Sequence, residues 1–313
     1  FDWCDSANHQ RRPIGLDMIW LWVILAMGAL AAIWGIGIER HLFVIRRESL
    51  RVLPAGSQPL IVLHIGDLHV APWQKRKLAF INKLGELSPD LVINTGDNLG
   101  HAAAVGPTLV ALKPLLERTG AFVNGSNDYH APEPRNPLAY LGGPSKVGHG
   151  KKLETERLVG GFTSAGWLDL NNRQGRAVIS GVSINFVGVD DAHDGLDRLD
   201  SIPSKDDLAS GADLVIGVSH APYLRVIDAM GEAGVDVLFA GHTHGGQVCI
   251  PVFGALVTNC DLPRRNAKGI SSWSVPGKTM ILNVVAGLGH SIFAPVRFAC
   301  RPEVRLLTLL PKN

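Results

Sequence analysis

Ala240-Gly241-His242-Thr243-His244-Gly245-Gly246-Gln247 follows directly on the apolar run Val235, Val237, Leu238 and Phe239. Two imidazoles one residue apart, on a chain leaving a strand between glycines that permit a tight turn, point at two neighbouring places in space. A single stretch of this kind can serve two metal ions.

A lone histidine is more often a surface or hydrogen-bonded core residue than a ligand, but here the arrangement recurs. Four other apolar runs also end in metal-competent residues. Ile61-Val62-Leu63-His64-Ile65-Gly66 ends in Asp67-Leu68-His69, and Leu91-Val92-Ile93-Asn94-Thr95-Gly96 ends in Asp97-Asn98. Ala121-Phe122-Val123-Asn124-Gly125 ends in Ser126-Asn127-Asp128, and Leu214-Val215-Ile216-Gly217-Val218-Ser219 ends in His220. Five strand ends of one chemical type imply one shared site.

Between the strands the apolar spacing turns helical. Trp73 to Leu87 carries Leu78, Ile81, Leu84 and Leu87 before Pro89, and Val105 to Arg118 carries Val110, Leu112, Leu115 and Leu116. Glu154 to Ala165 and Pro222 to Gly231 read as further helices. Residues 176 to 190 alternate around Ser180-Gly181 as an antiparallel hairpin, which ends at Asp190-Asp191-Ala192-His193 at the periphery of the site. Met280 to Val285 and Val304 to Leu310 supply more strand. The expected fold class is α/β, a two-sheet β-sandwich flanked by helices, with ligands gathered beyond the carboxyl ends of the strands. Residues 129 to 152, rich in Pro, Gly and basic side chains, read either as a solvated surface loop or as a mobile, basic substrate loop.

Ahead of this domain lies a segment of different character. From Met18 to Ile38 there are 21 residues without a charge. At about 1.5 Å per residue they cover roughly 30 Å, the thickness of a bilayer core. Trp20 and Trp22 near one end and Trp34 near the other suit membrane interfaces. A secretory signal has a shorter apolar region and a small-residue cleavage site, which is not evident before Glu39-Arg40-His41. Arg11 and Arg12 precede the span, whereas Arg40, Arg46, Arg47 and Arg51 follow it, so the larger part of the chain is expected on the cytoplasmic side of a single-pass cell-membrane protein. The expected division is a polar leader over 1–17, a transmembrane helix over 18–38, a connector over 39–59 ended by Pro54, Gly56 and Pro59, and a globular domain over 60–313.

Composition narrows the partners. The 30 Lys and Arg against 28 Asp and Glu leave no basic footprint for nucleic acid, which is not an expected partner. The four cysteines, Cys4, Cys249, Cys260 and Cys300, form no CxxC pair; a Cys249 to Cys260 bridge stays open.

The order Asp-x-His, Gly-Asp, Asn, His, Gly-His-x-His resembles the calcineurin-like metallophosphoesterase superfamily over almost all of residues 60 to 310. Gly287-Leu288-Gly289, Pro295, Arg297 and Arg301-Pro302-Glu303 also look like the C-terminal part of its bacterial membrane-associated phosphodiesterase branch, which includes UDP-diacylglucosamine pyrophosphohydrolases. The resemblance implies a four-layer sandwich and two divalent ions (Mn, Fe or Zn). One ion would be held by Asp67, His69, Asp97 and His244 and the other by Asp97, Asn127, His220 and His242, with Asp97 bridging. It further implies attack of a metal-bridging hydroxide on phosphorus.

The departure is at the third block, where the family's Gly-Asn-His is replaced by Gly125-Ser126-Asn127-Asp128. An ungapped alignment puts Ser126 at the ligand position. An amide oxygen is the better neutral ligand for a hard cation, which favours Asn127 and places Asp128 where the family has its catalytic histidine. The expected activity is hydrolysis of a phosphoric ester or pyrophosphate at the membrane, on a lipid-linked or nucleotide-linked phosphate. A phosphodiesterase for a soluble nucleotide, or a metal-binding protein with weak turnover, uses the same residues.

Overall fold

The computed structural model describes residues 14–134 and 150–312. Most of the basic loop expected over 129–152, and residues 1–13 of the expected leader, lie outside the described residues. The described chain opens with helix α1 (Ile14–Ala32), which widens into a π-helical turn, Ile33–Ile38, and closes in a 3-10 turn, Glu39–His41. The most apolar part of Met18–His41 has a mean hydropathy of 2.2 and is 6% buried. The chain thus has an N-terminal helix long and apolar enough to cross a membrane.

Strand β1 (Val44–Leu53) lies inside the segment expected as a connector, and β2 (Leu60–Ile65) follows. Helix α2 (Lys75–Lys83), β3 (Leu91–Asn94), α3 (Val105–Leu116) and β4 (Gly120–Phe122) complete the expected alternation. Next come α4 (Ser126–Tyr129), α5 (Thr155–Ser164), β5 (Leu168–Asp169), and the hairpin β6 (Arg173–Ile179) and β7 (Val182–Gly188). Helix α6 (Lys205–Ala209), β8 (Leu214–Ser219), α7 (Leu224–Glu232) and β9 (Val237–Ala240) lead to a short hairpin, β10 (Cys249–Ile250) and β11 (Gly254–Ala255). Strands β12 (Gly269–Val275), β13 (Lys278–Val284) and β14 (Glu303–Pro311) end the chain.

Two six-stranded sheets result, in the orders β1-β14-β2-β3-β4-β5 and β12-β13-β9-β8-β7-β6. Strands β2 to β5 are parallel, as are β7, β8, β9 and β13. β1 escapes the apolar pattern because it is an edge strand with charge on its open face. Arg46 reaches Glu303 at 3.2 Å, Glu48 meets Arg305, and only Leu50, Val52 and Leu53 enter the core. Charged edges of this kind resist pairing with another chain, and from the sequence they resemble a linker.

Strand side chains alternate between two environments, as the two-residue period requires. Leu60 and Val62 of β2, with Leu91 and Ile93 of β3, face Ile184, Phe186, Ile216, Val237 and Phe239 of the second sheet in the central core. Leu63, Ile65 and Val92 face the other way, onto Ile81, Leu112, Leu115, Leu158 and Phe162 of α2, α3 and α5. On the opposite flank Val187, Val215 and Leu238 meet Val226, Ile227 and Met230 of α7. These are the four layers, helix, sheet, sheet and helix.

Phe186 lies between the sheets, fully buried and away from the strand ends. Phe186→Ala is expected to cost about 3–5 kcal/mol through lost transfer energy and a residual cavity. A urea titration of the variant showing a midpoint unchanged from the parent would contradict this central packing.

Candidate metal centre

The parallel strands bring their carboxyl ends to one rim, and each loop there is held by its neighbour's backbone. Asp67 N donates to Gly96 O (2.8 Å), His69 N to Asp97 O (2.9 Å) and Gly241 N to His220 O (2.9 Å). The turns are tight: Asp67, His69, Asp97, His242 and His244 all have φ between 40° and 67°. Non-glycine residues in the left-handed region cost roughly 1–3 kcal/mol each and cluster where surrounding structure enforces them. Two glycines make room for the acids. A Cβ on Gly241 would lie 2.6 Å from Asp67 Oδ2, and one on Gly125 would collide with Asp97 Oδ1.

Asp97 Oδ2 is the hub. His69 Nε2 lies 3.3 Å from it and His220 Nε2 3.7 Å from it, on imidazoles brought in by different sheets. On the first side, His244 Nε2 stands 3.2 Å from His69 Nε2 and 3.7 Å from Asp67 Oδ1. One ligand atom from each of Asp67, His69, Asp97 and His244 fits within 4.8 Å of all the others, and all four residues are buried. On the other side His242 Nδ1 is 3.3 Å from His220 Nε2. Asn127 N donates to Asp97 Oδ1, and the Asn127 side-chain amide touches Asp97 Oδ2, each at 2.8 Å. Half a turn of that amide presents its oxygen instead of its nitrogen.

The outer nitrogens fix which ring atoms face inward. His220 Nδ1 is 2.7 Å from Thr95 O, and His242 Nε2 is 3.1 Å from Asn259 O. An N–H donated to each carbonyl aims His220 Nε2 and His242 Nδ1 at the shared side, the orientation a cation requires. Convergent lone pairs and carboxylates repel one another unless a positive charge lies among them. The mixed nitrogen and oxygen set suits borderline divalent metals such as Mn, Fe or Zn.

Burial governs the protonation of the cluster. It holds His69 down to about 4, and His242 and His244 well below the usual imidazole range, so these rings stay neutral. Burial also pushes Asp67 up to about 7, a cost that nearby positive charge relieves. Asp97 is different: burial alone would raise it, but His220, His69 and the two bonds from Asn127 outweigh burial and keep the carboxyl below its ordinary value. His220, likewise desolvated, is raised to about 9 because Asp97, Asp191 and Asp67 surround it.

Asp128, expected where the family has its catalytic histidine, is pushed up to about 7 by burial and by the neighbouring Asp97 carboxylate. Its side chain is fully buried; Oδ1 accepts from Asn98 N (2.8 Å) and Leu99 N (3.3 Å). Oδ2 accepts from Asn98 Nδ2 (3.1 Å) and Gly125 N (3.2 Å). The carboxylate therefore ties the loop after β3 to the loop after β4. The sequence placed Asp128 by a shifted alignment; the capping geometry of α4 takes it inward.

Other contributors carry no clear sequence signal. Lys77, on the amphipathic helix α2, is buried, and its Nζ donates to Leu68 O (2.8 Å) and His69 O (3.1 Å). Arg297, quoted only as part of a C-terminal pattern, is fully buried and donates to the carbonyls of His244 (2.8 Å) and Ala286 (2.8 Å). It also lies 3.2 Å from His244 Nδ1. His193, at the end of the β6–β7 hairpin region, packs its ring 4.5 Å from that of His242 and sits 3.0 Å from Tyr223 OH.

Residues 60–246 match the family described as calcineurin-like phosphoesterase. The chain is 26% identical over 299 residues to the uncharacterized metallophosphoesterase YkuE of Bacillus subtilis (strain 168), covering 92% of this chain and 94% of that protein. It is also 26% identical over 274 residues to the phosphodiesterase YaeI of Escherichia coli (strain K12), covering 86% of this chain and 88% of that one. Among solved structures, the 5'-nucleotidase precursor from Thermus thermophilus superposes with a TM-score of 0.45 at 13% identity, over 81% of this chain and 54% of that one.

Asp128→Asn keeps the shape but turns an amide N–H2 toward Gly125 N or Asn98. It is expected to cost about 1–3 kcal/mol of stability and to lower rates equally along a series of aryl phosphodiesters. A loss that grew with the pKa of the departing phenol would instead make Asp128 the general acid.

Proposed function

The chain belongs to the calcineurin-like phosphoesterase family and is a metal-dependent phosphohydrolase; from that premise we propose a two-metal phosphodiesterase or pyrophosphohydrolase held at the membrane by residues 18–38. Its substrate is a lipid-linked or nucleotide-linked phosphate. The observation that carries this reading is the position of Asp97 Oδ2, within 3.3 Å of His69 Nε2 and 3.7 Å of His220 Nε2, between two groups of donors. Asp67, His69 and His244 complete one group, and His220, His242 and Asn127 complete the other.

Two divalent ions held there supply Lewis acidity toward the phosphoryl oxygens and lower the pKa of a water. The chain's own part is positioning. The Thr95 and Asn259 carbonyls lock two imidazoles in the ligating tautomer, and Lys77 and Arg297 fix the backbones of His69 and His244. Burial keeps water from competing for these groups. With Asp128 accepting from three backbone N–H groups and the Asn98 side-chain amide, the proposed site favours leaving groups that depart without a proton, such as the phosphate of a pyrophosphate linkage or an acidic phenol.

Asp97→Asn is expected to lower the rate on bis(p-nitrophenyl) phosphate by about a hundredfold or more, since it removes charge where the transition state needs it. Retention of more than a tenth of the rate with full metal content would remove the shared-carboxylate role. An absence of metal-dependent hydrolysis of this diester, of nucleotide sugars and of lipid-linked pyrophosphates alike would overturn the reading as a whole.

The basic residues after the span, Arg40, Arg46, Arg47 and Arg51 against Arg11 and Arg12 before it, place the catalytic domain on the cytoplasmic side in this proposal. Protease added to intact cells is expected to leave the domain whole. Cleavage within residues 44–312 from outside reverses the orientation.

A further inference from the structure

Outside the N-terminal helix, nine large apolar side chains are exposed among the described residues, and five of them fall in two neighbouring segments: Val248, Ile250, Val252, Phe253 and Phe293. The segments are joined. Cys249 N donates to Phe298 O (2.8 Å), Phe298 N to Gln247 O (3.1 Å), and Gln247 Nε2 to Ala294 O (3.0 Å). They are also fastened to the helix. Arg297 N donates to Gly35 O (3.2 Å), where a Cβ on Gly35 would approach Arg297 O to 3.0 Å. Buried Glu39 accepts from Trp34 Nε1 (2.6 Å), Ala299 N (3.0 Å) and Cys300 N (2.7 Å).

The register against the helix sets the depth of these segments. Leu30, Ile33, Trp34, Ile38 and Glu39 share a cleft of about 680 Å³ with Pro251, Phe298 and Arg301. At about 1.5 Å per residue, Leu30 lies roughly 12 Å inside the end of the apolar run at Ile38. Pro251 therefore lies against the last turns of the span, and Val252 and Phe253 follow it, exposed, at the turn of the β10–β11 hairpin. Exposed basic side chains accompany them: Arg264 holds its guanidinium 5.4 Å from the Phe253 ring, and Arg265 and Arg301 are open to solvent. Apolar tips with arginines at their base match a layer of acyl chains under anionic headgroups.

We propose that the β10–β11 hairpin, through Val252 and Phe253, and the adjacent loop, through Phe293, insert into the lipid layer beside the helix, making a second membrane contact. The hairpin continues directly from the turn bearing His242 and His244 through Gln247 and Val248, so this contact presses the metal centre against the membrane surface. The inference rests on the membrane reading of residues 18–38 given above.

The test uses the full chain in phosphatidylcholine and phosphatidylglycerol vesicles that carry a diazirine-bearing phosphatidylcholine, with labelled peptides mapped by mass spectrometry after photolysis. Label is expected on the helix and on the peptide containing residues 248–255, and none on Val178 in the β6–β7 hairpin. Val252→Asp with Phe253→Asp is expected to reduce hairpin labelling at least fivefold while leaving bis(p-nitrophenyl) phosphate hydrolysis in the same vesicles unchanged. Label confined to the helix overturns the proposal, including the case in which a second copy of the chain covers the hairpin. Label on neither removes the membrane reading and this inference together. Hydrolysis of the soluble diester, measured in the same sample, reports on the phosphodiesterase reading independently of where the label falls.

Discussion

A carboxylate shared between imidazoles from two different sheets is the constraint from which the rest of the structure follows. Asp97 is buried and stays below the usual carboxyl range only because His220, His69 and Asn127 face it. Around it Asp67, His69, His242 and His244 are also desolvated, and most of them are driven toward their neutral forms. So many buried polar groups are expensive unless something positive lies between them. The arrangement is a cost to folding that metal binding offsets, which is why the chain holds it with such redundancy.

That redundancy is visible in the backbone. Five ligand-set residues adopt left-handed φ, each loop is clamped by a neighbouring strand end, and Gly125 and Gly241 stand where no side chain fits. Charged side chains also act as rivets. Asp128 joins two loops through four donors, Lys77 caps the turn after β2, and Arg297 binds the carbonyls around His244. A buried guanidinium or carboxylate used in this way gives up a reactive role for geometric precision.

The same C-terminal loop ties the catalytic rim to the apolar helix. Arg297 reaches His244 with its side chain and Gly35 with its backbone, while Glu39 accepts from the two residues beyond Phe298, Ala299 and Cys300. The helix is therefore seated on the metal centre's own supporting loop and not strung from a flexible linker. Strand β1, immediately after it, reinforces this seating by pairing along the whole of β14.

The residues by themselves were enough for the α/β sandwich, because apolar runs of strand length ending in ligand-type side chains, alternating with helical spacing, leave few other folds. The cluster of Asp67, His69, Asp97 and His244 and the apolar helix were legible too, because both are announced by local pattern. Strand β1 was hidden, since half of an edge strand faces water and its charges look like those of a linker. The roles of Asp128, Lys77 and Arg297 were hidden for a related reason: what a charged side chain does is decided by which distant backbone it meets. Asp128 meets Asn98 across 30 residues, and Arg297 meets His244 across 53. Only the packing of one strand end against another sets those encounters, so tertiary structure alone reveals that the candidate acid Asp128 also braces two loops.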